Sequence, residues 1–182
     1  MQVEKTKFKD VAIITPTVYG DDRGYFLETF NAKSWKDIIP DRPFVQDNES
    51  KSTRGVLRGL HFQKPPFTQA KLVRVVTGTV LDIIVDLRKS EPTYGQSIGV
   101  ELSAENKKLF YVPRGFAHGF VVLSETATFS YKCDNYYSKE HDGGIHALDK
   151  RLSLDWGIDP SQIQLSDKDK TQPTWGDHFV FD

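Results

Sequence analysis

The sequence predicts an all-β protein, a β-sandwich or barrel with the jelly roll as the leading arrangement. Short runs rich in Val, Ile, Phe, Tyr and Thr dominate the chain, and thirteen glycines and nine prolines separate them. Hydrophobic residues make up 38% of the 182 residues and charged residues 27%, the balance of a folded globular protein. No repeat or linker divides the chain, so we predict a single domain over residues 1–182.

The clearest strands lie in the centre of the chain. Leu72–Thr77 and Thr79–Leu87 alternate as strands do, with Gly78 at the turn between them. Further strands are predicted at residues 96–102, 108–112, 119–123 and 126–135. Helix-like pieces are short, at about Asn31–Ile38 and in a turn near Ser161–Ile163. The polar tail from Asp155 onward is predicted to wrap the barrel and to supply residues to a site.

Charge and hydropathy exclude several classes of function. The 24 basic and 25 acidic residues nearly cancel, so the chain lacks the basic footprint of a general nucleic-acid binder. No apolar run approaches the ~18 residues of a membrane span, and the first residues lack the apolar core of a signal peptide. Cys133 is the only cysteine, which excludes an intrachain disulfide and favours a cytoplasmic location.

The run Arg58-Gly-Leu-His-Phe-Gln, followed by Lys71, places three basic groups in an apolar strand region. Together they indicate acid/base chemistry on an anionic substrate, because arginine binds phosphate, histidine exchanges protons near neutral pH and lysine steadies an oxyanion. The alternative is a core histidine bonded to a backbone carbonyl. Arg58 and His61 are three residues apart, so a regular strand would send them to opposite faces. A bulge at Gly59 would bring both to one side.

A second histidine, His118, follows a Pro-x-Gly turn in Val112-Pro-Arg-Gly-Phe-Ala-His-Gly-Phe. This run resembles the second motif of the cupin superfamily, whose metal-binding members carry His-x-His and a glutamate in the first motif. Here the first motif offers His61-Phe62-Gln63, so only two histidines are present where three or four ligands are needed. We therefore predict no metal.

Three further segments carry candidate site residues. Tyr131 is either a core tyrosine with a bonded hydroxyl or a general acid across a cavity from His61. Gln46–Ser50 is a polar cluster able to bind a heterocycle edge, and Tyr136-Tyr137 offers a stacking surface. Asp169 in the tail is either a surface charge or the carboxylate that orients His61. The spacing leaves these alternatives open.

Taken in order, the motifs resemble the dTDP-4-dehydrorhamnose 3,5-epimerase family, which has a cupin-type double-stranded β-helix fold. The similarity extends from about Ile13 to Asp169. The segments that carry it are Asp22–Phe30, Gln46–Asn48, Arg58–Gln63, Lys71, Val112–Phe120, Tyr131, Asn135–Tyr137 and Ser166–Asp169.

The resemblance implies epimerisation at C3 and C5 of dTDP-4-dehydro-6-deoxy-D-glucose, through enolates, in dTDP-L-rhamnose biosynthesis. His61 would be the general base oriented by Asp169, Tyr131 the general acid, and Lys71 the group that stabilises the enolate oxygen. The implied substrate-binding residues are Arg23, Glu28, Gln46, Asn48, Arg58, His118, Tyr137, Asp142 and Lys168. Asp142 stands where family members often carry a glutamate.

The resemblance also implies that no cofactor is needed. It implies a homodimer that exchanges β-structure, so that Arg23 to Glu28 would enter the partner's site. Three alternatives stay open at this point: a monofunctional epimerase, a 3,4-ketoisomerase on a related dTDP-4-keto sugar, and a non-catalytic cupin that binds a nucleotide sugar.

Overall fold

The computed structural model describes residues 1–39 and 42–182, and its regular structure is almost entirely β. The strands are β1 (Gln2–Lys5), β2 (Ala12–Thr15), β3 (Val18–Asp21), β4 (Gly24–Leu27), β5 (Gln46–Thr53), β6 (Leu57–Gln63), β7 (Lys71–Thr77), β8 (Thr79–Asp86), β9 (Ser97–Ser103), β10 (Leu109–Val112), β11 (Phe116–Val122), β12 (Thr126–Cys133) and β13 (Asp142–Gly144). One short helix, α1 (Asp167–Lys170), and 3-10 turns at Lys139–His141, Lys150–Leu152 and Pro160–Gln162 complete the described elements.

The strands form two antiparallel sheets and a separate hairpin. The six-stranded sheet has the order β1-β2-β10-β7-β12-β5, and the five-stranded sheet has the order β13-β6-β11-β8-β9. Strands β3 and β4 form a two-stranded sheet with each other. The predicted all-β sandwich is confirmed, because the apolar runs pair in antiparallel fashion and bury one face of each sheet against the other.

Three apolar layers stabilise the sandwich. The central layer between the sheets contains Val73, Val75, Phe110 and Phe129 from the six-stranded sheet and Val80, Ile84, Phe116 and Phe120 from the five-stranded sheet. A second layer covers the outer face of the five-stranded sheet with tail residues such as Trp156 and Phe181. A third packs Trp35 and Ile39 on the outer face of the six-stranded sheet. The tail therefore wraps the barrel as predicted.

The predicted central strands are confirmed as β7 and β8, with Gly78 between them at φ 78°. The predicted helix at Asn31–Ile38 is wrong. The chain makes consecutive turns there, with Trp35 N donating to Asn31 O at 3.0 Å and Ile39 N to Trp35 O at 2.9 Å. Eight residues make a marginal helix, and burial of the Trp35 and Ile39 side chains fixes this segment instead.

A bulge at Gly59 resolves the three-residue spacing between Arg58 and His61. His118 pairs with His61 and Phe120 pairs with Arg58, so two steps on β11 match three on β6. Gly59 has φ 137°, and a Cβ there would lie 2.5 Å from the Gly119 Cα. Only glycine fits this approach of the two strands. The predicted bulge is confirmed, and it brings both basic side chains to one face.

Two surface features complete the description. The β3–β4 hairpin exposes Tyr19 (64%), Tyr25 (59%) and Phe26 (69%), an unusual concentration of large apolar side chains. Among the described residues, no helix has both the length and the apolar character that crossing a membrane would require.

Candidate active site

The main cavity has a volume of about 570 Å³ and is lined by both sheets and by the tail. The five-stranded sheet contributes Arg58, His61 and His118, and the six-stranded sheet contributes Lys71 and Tyr131. The tail closes one side with the residues Gln164, Leu165, Ser166, Lys168 and Asp169. The tail therefore lines the same cavity as the candidate residues of the two sheets.

A smaller cavity of about 130 Å³ adjoins the first and shares His61, Lys71, Tyr131 and Lys168 with it. Its remaining lining residues are Gln46, Asn48, Phe62, Gln63, Gln69, Cys133, Tyr137 and Asp142. Of the catalytic and substrate-binding residues that the resemblance implies, Arg23 and Glu28 are the two that line neither cavity. The other predicted residues converge, although they are spread over more than a hundred positions of the chain.

His61 and Asp169 form a hydrogen-bonded pair at the base of the cavity. The His61 side chain is 29% exposed, whereas that of Asp169 is 4% exposed, and the bond joins Nε2 to Oδ1. Burial raises the pKa of the Asp169 carboxyl, but its bonds to His61 and Ser166 outweigh burial, and the net shift is downward. An ionised Asp169 accepts a hydrogen bond from Nε2–H, which leaves Nδ1 as the basic nitrogen of a neutral ring. A carboxylate rather than a backbone carbonyl therefore orients this histidine.

Asp169 is held in position by the first turn of α1. Ser166 caps this helix, and its hydroxyl accepts a hydrogen bond from Asp169 N at 3.1 Å. Because the tail packs beside β6, the first turn of α1 delivers the carboxylate to His61 across 108 residues of sequence.

Lys71 and Tyr131 lie on the opposite sheet. The Lys71 Nζ lies 5.8 Å from the centre of the Tyr131 ring. Burial lowers the pKa of the Lys71 ammonium from its ordinary 10.5, with Cys133, Asp82 and Asp142 opposing the shift. Burial also raises the pKa of the Tyr131 phenol from 10.0. The phenol therefore keeps its proton at neutral pH, as a general acid requires.

His118 has a partner that sequence reasoning did not assign. Its Nε2 lies 2.8 and 2.9 Å from the two carboxylate oxygens of Asp82, which is fully buried. Asp82 lies on the inner face of an apolar strand, and a carboxylate in such a position requires a partner. The sequence therefore already indicated that Asp82 needs a hydrogen-bonding or cationic partner.

Ser52 is a second residue that the sequence analysis did not assign. Its hydroxyl accepts a hydrogen bond from Arg58 Nε at 3.0 Å and so orients the exposed guanidinium.

The smaller cavity is organised by amide groups. Gln46 Nε2 donates to Asn48 Oδ1 at 3.0 Å, and Tyr137 N donates to Gln46 Oε1 at 3.0 Å. These bonds place the half-exposed Tyr137 ring beside the amides. At the far side, Lys168 is ion-paired with Asp142, which also accepts from Gln63 Nε2 at 3.3 Å. The two predicted binding residues Lys168 and Asp142 are therefore bonded to each other in the isolated chain.

Arg23 and Glu28 lie on and just after the exposed hairpin. Arg23 pairs with Asp21 at 2.6 Å, and Glu28 accepts a hydrogen bond from Asn31 Nδ2 at 2.9 Å. Both are outside the two cavities of their own chain.

The arrangement supports proton transfer on an anionic substrate. A histidine with a basic nitrogen and a protonated phenol come from opposite sheets into one cavity, with a lysine ammonium beside the phenol. Among residues 1–39 and 42–182, no three His, Cys, Asp or Glu side chains converge closely enough to hold a metal ion.

Comparison with known proteins identifies the family. The family model described as dTDP-4-dehydrorhamnose 3,5-epimerase matches residues 5–177. The enzyme of that name from Shigella flexneri is 52% identical over 170 residues, which cover 93% of each chain.

Two solved structures extend the similarity to the fold. The dTDP-4-dehydrorhamnose 3,5-epimerase of Elizabethkingia anophelis NUHP1 has 55% identity and a TM-score of 0.92, with 96% of each chain covered. The dTDP-6-deoxy-D-glucose-3,5-epimerase of Legionella pneumophila Philadelphia 1, solved with dTDP-4-keto-L-rhamnose, has 48% identity and a TM-score of 0.91, covering 95% of this chain and 92% of that one. The predicted cupin-type fold is confirmed, and the chain belongs to the dTDP-4-dehydrorhamnose 3,5-epimerase family of isomerases.

Proposed function

We propose that this protein epimerises dTDP-4-dehydro-6-deoxy-D-glucose at C3 and C5 to dTDP-4-dehydro-L-rhamnose, in the biosynthesis of dTDP-L-rhamnose. The observation that carries the proposal is the convergence of His61, with its buried Asp169, and Tyr131 in one cavity from opposite sheets. Inversion of a carbon centre requires a base on one face of the sugar ring and an acid on the other. Family membership makes the dTDP-4-keto sugar the substrate of choice.

In this mechanism His61 Nδ1 removes a proton next to the 4-keto group. The ketone acidifies C–H bonds at C3 and C5, and loss of either proton gives an enolate. The imidazolium that forms is stabilised by the ionised Asp169, whose Oδ1 accepts a hydrogen bond from Nε2–H. A histidine suits this step because its ordinary pKa of about 6.5 lies close to neutral pH.

Lys71 and Tyr131 complete the proton transfer. The Lys71 ammonium lies in a buried position, where a charge stabilises a developing enolate oxygen better than it would in water. The Tyr131 phenol then protonates the carbon from the opposite face, and its raised pKa keeps it protonated until that step. The reaction moves only protons, so these groups perform it without a metal or an organic cofactor.

The remaining polar residues are proposed to bind the dTDP group. Arg58 keeps an exposed guanidinium at the main cavity, positioned by Ser52 for a phosphate. Gln46 and Asn48 offer amide groups and Tyr137 a ring face beside them, as a nucleotide base requires. His118 and Lys168 add two further basic side chains to the lining, and Asp142 holds Lys168 until the substrate arrives.

Turnover of the substrate in D2O tests the reaction directly. We expect NMR to show deuterium at both C3 and C5 of the L-configured product. Label at one carbon alone would identify a monofunctional epimerase, a shifted ketone would identify a 3,4-ketoisomerase, and binding without exchange would identify a non-catalytic protein. Each of these three outcomes would overturn the proposal.

We further propose a homodimer in which the β3–β4 hairpin packs on the partner. The exposed Tyr19, Tyr25 and Phe26 form an apolar surface that a second subunit would cover. The hairpin would carry Arg23 and Glu28 into the partner's cavity, which explains why neither lines the two site cavities of its own chain. A two-fold dimer forms two such sites by symmetry.

Complementation tests this exchange. Arg23→Ala and His61→Asn homodimers should both be inactive. Random pairing of the two variants should recover about a quarter of wild-type activity, because half of the dimers are mixed and each mixed dimer has one intact site. No recovery in a mixture that demonstrably forms mixed dimers would place Arg23 in the site of its own chain.

We also infer that the reaction takes place in the cytoplasm, since the buried Cys133 thiol has no disulfide partner in the sequence.

A further inference from the structure

An ion pair between Arg114 and Asp134 lies where three segments of the chain meet beside Lys71. Arg114 Nε lies 2.9 Å from Asp134 Oδ2, and the Asp134 side chain is only 3% exposed. Lys71 pairs with Val112 on β10 and with Cys133 on β12. Arg114 follows the first of these strands by two residues and Asp134 follows the second by one.

The same pair also bonds the segment that leads into Lys71. Asp134 Oδ1 accepts a hydrogen bond from Ala70 N at 2.7 Å, and Asp134 N donates to Ala70 O at 3.2 Å. Arg114 Nη1 donates to Thr68 Oγ1 at 3.2 Å. Both carboxylate oxygens of Asp134 therefore accept a hydrogen bond, one from the Arg114 guanidinium and one from the backbone amide of the residue that precedes Lys71.

Lys71 itself has no carboxylate within 4.0 Å among the residues that the structure describes. Its side chain is partly buried at the cavity wall, so a flexible lysine would gain hydration by turning further into water. The position of this charge must then come from the backbone that carries it. An oxyanion is stabilised only by a charge held in place beforehand, and a misplacement of about 1 Å costs about 100-fold in rate.

We infer that Arg114 and Asp134 are positioning residues for Lys71, which fix the start of β7 so that the ammonium stays at the cavity. This inference rests on the proposed function for the role of Lys71 in the reaction. Neither residue lines either of the two site cavities, so both act through the segment that leads into Lys71: Arg114 through the Thr68 hydroxyl and Asp134 through the backbone of Ala70. Without the pair, the start of β7 can shift and the ammonium can reach water.

Arg114→Met tests the inference by removing the guanidinium at similar length. The first readout is an NMR titration of protein labelled with 13C at lysine Cε, with the Lys71 signal assigned by its loss in Lys71→Arg. We expect the pKa of Lys71 to rise towards 10.5, because the ammonium leaves its buried position. The second readout is kcat, which we expect to fall about 10- to 100-fold while dTDP affinity stays within a factor of about two.

Asp134→Asn distinguishes movement of the Lys71 ammonium from the electrostatic effect of removing a nearby negative charge. Loss of a nearby negative charge would lower the pKa of Lys71, whereas release of the ammonium to water would raise it. A rise in both Arg114→Met and Asp134→Asn supports the inference. An unchanged or lowered pKa of Lys71 in both variants would overturn it.

Three further variants serve as controls. Arg114→Lys keeps the charge and should restore most of kcat. Arg151→Met breaks a comparable pair with the buried Asp149, remote from both cavities, and should change neither readout. Should Arg114→Met not fold, Thr68→Val removes only the bond to the hydroxyl and should shift both readouts in the same direction by less. An unmoved pKa of Lys71 in that variant would count equally against the inference.

The two proposals can fail separately. If wild-type protein does not exchange the C3 and C5 protons, the proposed function is wrong, but the titration of Lys71 still decides its positioning. If wild-type protein does exchange them and the pKa of Lys71 does not move in the variants, only the positioning role is rejected.

Discussion

Replacing Asp169 with asparagine isolates the contribution of the carboxylate to catalysis. The side chain keeps its size and its backbone bond to Ser166, so α1 should retain its position. What changes is the charge beside His61 and the nature of the atom that faces Nε2. An asparagine amide can donate to Nε2, which would favour the ring tautomer with the proton on Nδ1 and remove the basic nitrogen from the substrate.

The magnitude follows from two contributions. Loss of a charge-assisted hydrogen bond to the forming imidazolium removes about 1.5–3 kcal/mol. At about 1.4 kcal/mol for each tenfold change in rate, this alone lowers kcat by about 10- to 150-fold. The unfavourable tautomer adds to the loss, up to the total of about 10,000-fold that general-base catalysis supplies. We therefore expect kcat of Asp169→Asn to fall by a factor of about 100 to 10,000.

The assay is NMR-detected exchange at C3 and C5, with dTDP affinity measured by calorimetry in parallel. We expect affinity to stay within a factor of about two, since Asp169 is buried beside His61 and does not line the smaller cavity, where the nucleotide base is proposed to bind. The double variant His61→Asn/Asp169→Asn should be no slower than His61→Asn alone, because Asp169 acts through the imidazole. Turnover of Asp169→Asn above half of the wild-type rate would refute the assignment of His61 and Asp169 as a functional pair.

The other predictions address acidity, the general acid and the core. The lowered pKa of Asp169 stabilises the folded protein above pH 3.8, and this stabilisation is lost as the pH falls further. The free energies of unfolding of wild type and Asp169→Asn should therefore become equal in acid. The alkaline limb of kcat should begin below pH 10.5, where the buried Lys71 loses its proton, and Lys71→Arg should move that limb upward in a pH–rate profile. Tyr131→Phe should lower kcat about 100- to 10,000-fold with dTDP affinity retained, and a loss confined to affinity would argue against a proton donor. Phe129→Ala should reduce the free energy of unfolding in urea by about 3–5 kcal/mol, since the ring is buried and stacks 4.0 Å from Phe120.

The sequence predicts the central strands well because their apolar residues alternate strongly. Strand β5 is recognisable in the sequence only as a polar cluster, since Gln46–Thr53 forms an edge of the sheet and carries polar side chains on both faces. The helix predicted at Asn31–Ile38 failed for the complementary reason. There the burial of Trp35 beneath the six-stranded sheet, a tertiary contact, decides the local conformation.

The sequence predicted which residues line the site better than it predicted the contacts between them. The spacing of Arg58 and His61 pointed to a bulge at Gly59, because only an irregular strand could place both side chains on one face. The pairing of His61 with Asp169 could not follow from spacing, since the contact joins residues 108 positions apart through the packing of the tail. The role of Asp82 shows the opposite case, because a carboxylate on an apolar strand by itself indicates a cationic or hydrogen-bonding partner.

The basic side chains of the site divide into two groups. His61, His118 and Lys168 each contact a carboxylate, from Asp169, Asp82 and Asp142 respectively. Among the described residues, the lining cations without such a partner are Arg58 and Lys71. These two also lie on opposite sheets, as a substrate with a diphosphate at one end and a developing enolate at the other would require. A cation whose charge is not already balanced by a carboxylate attracts an anion most strongly, so Arg58 and Lys71 should determine where the two negative groups of the substrate bind.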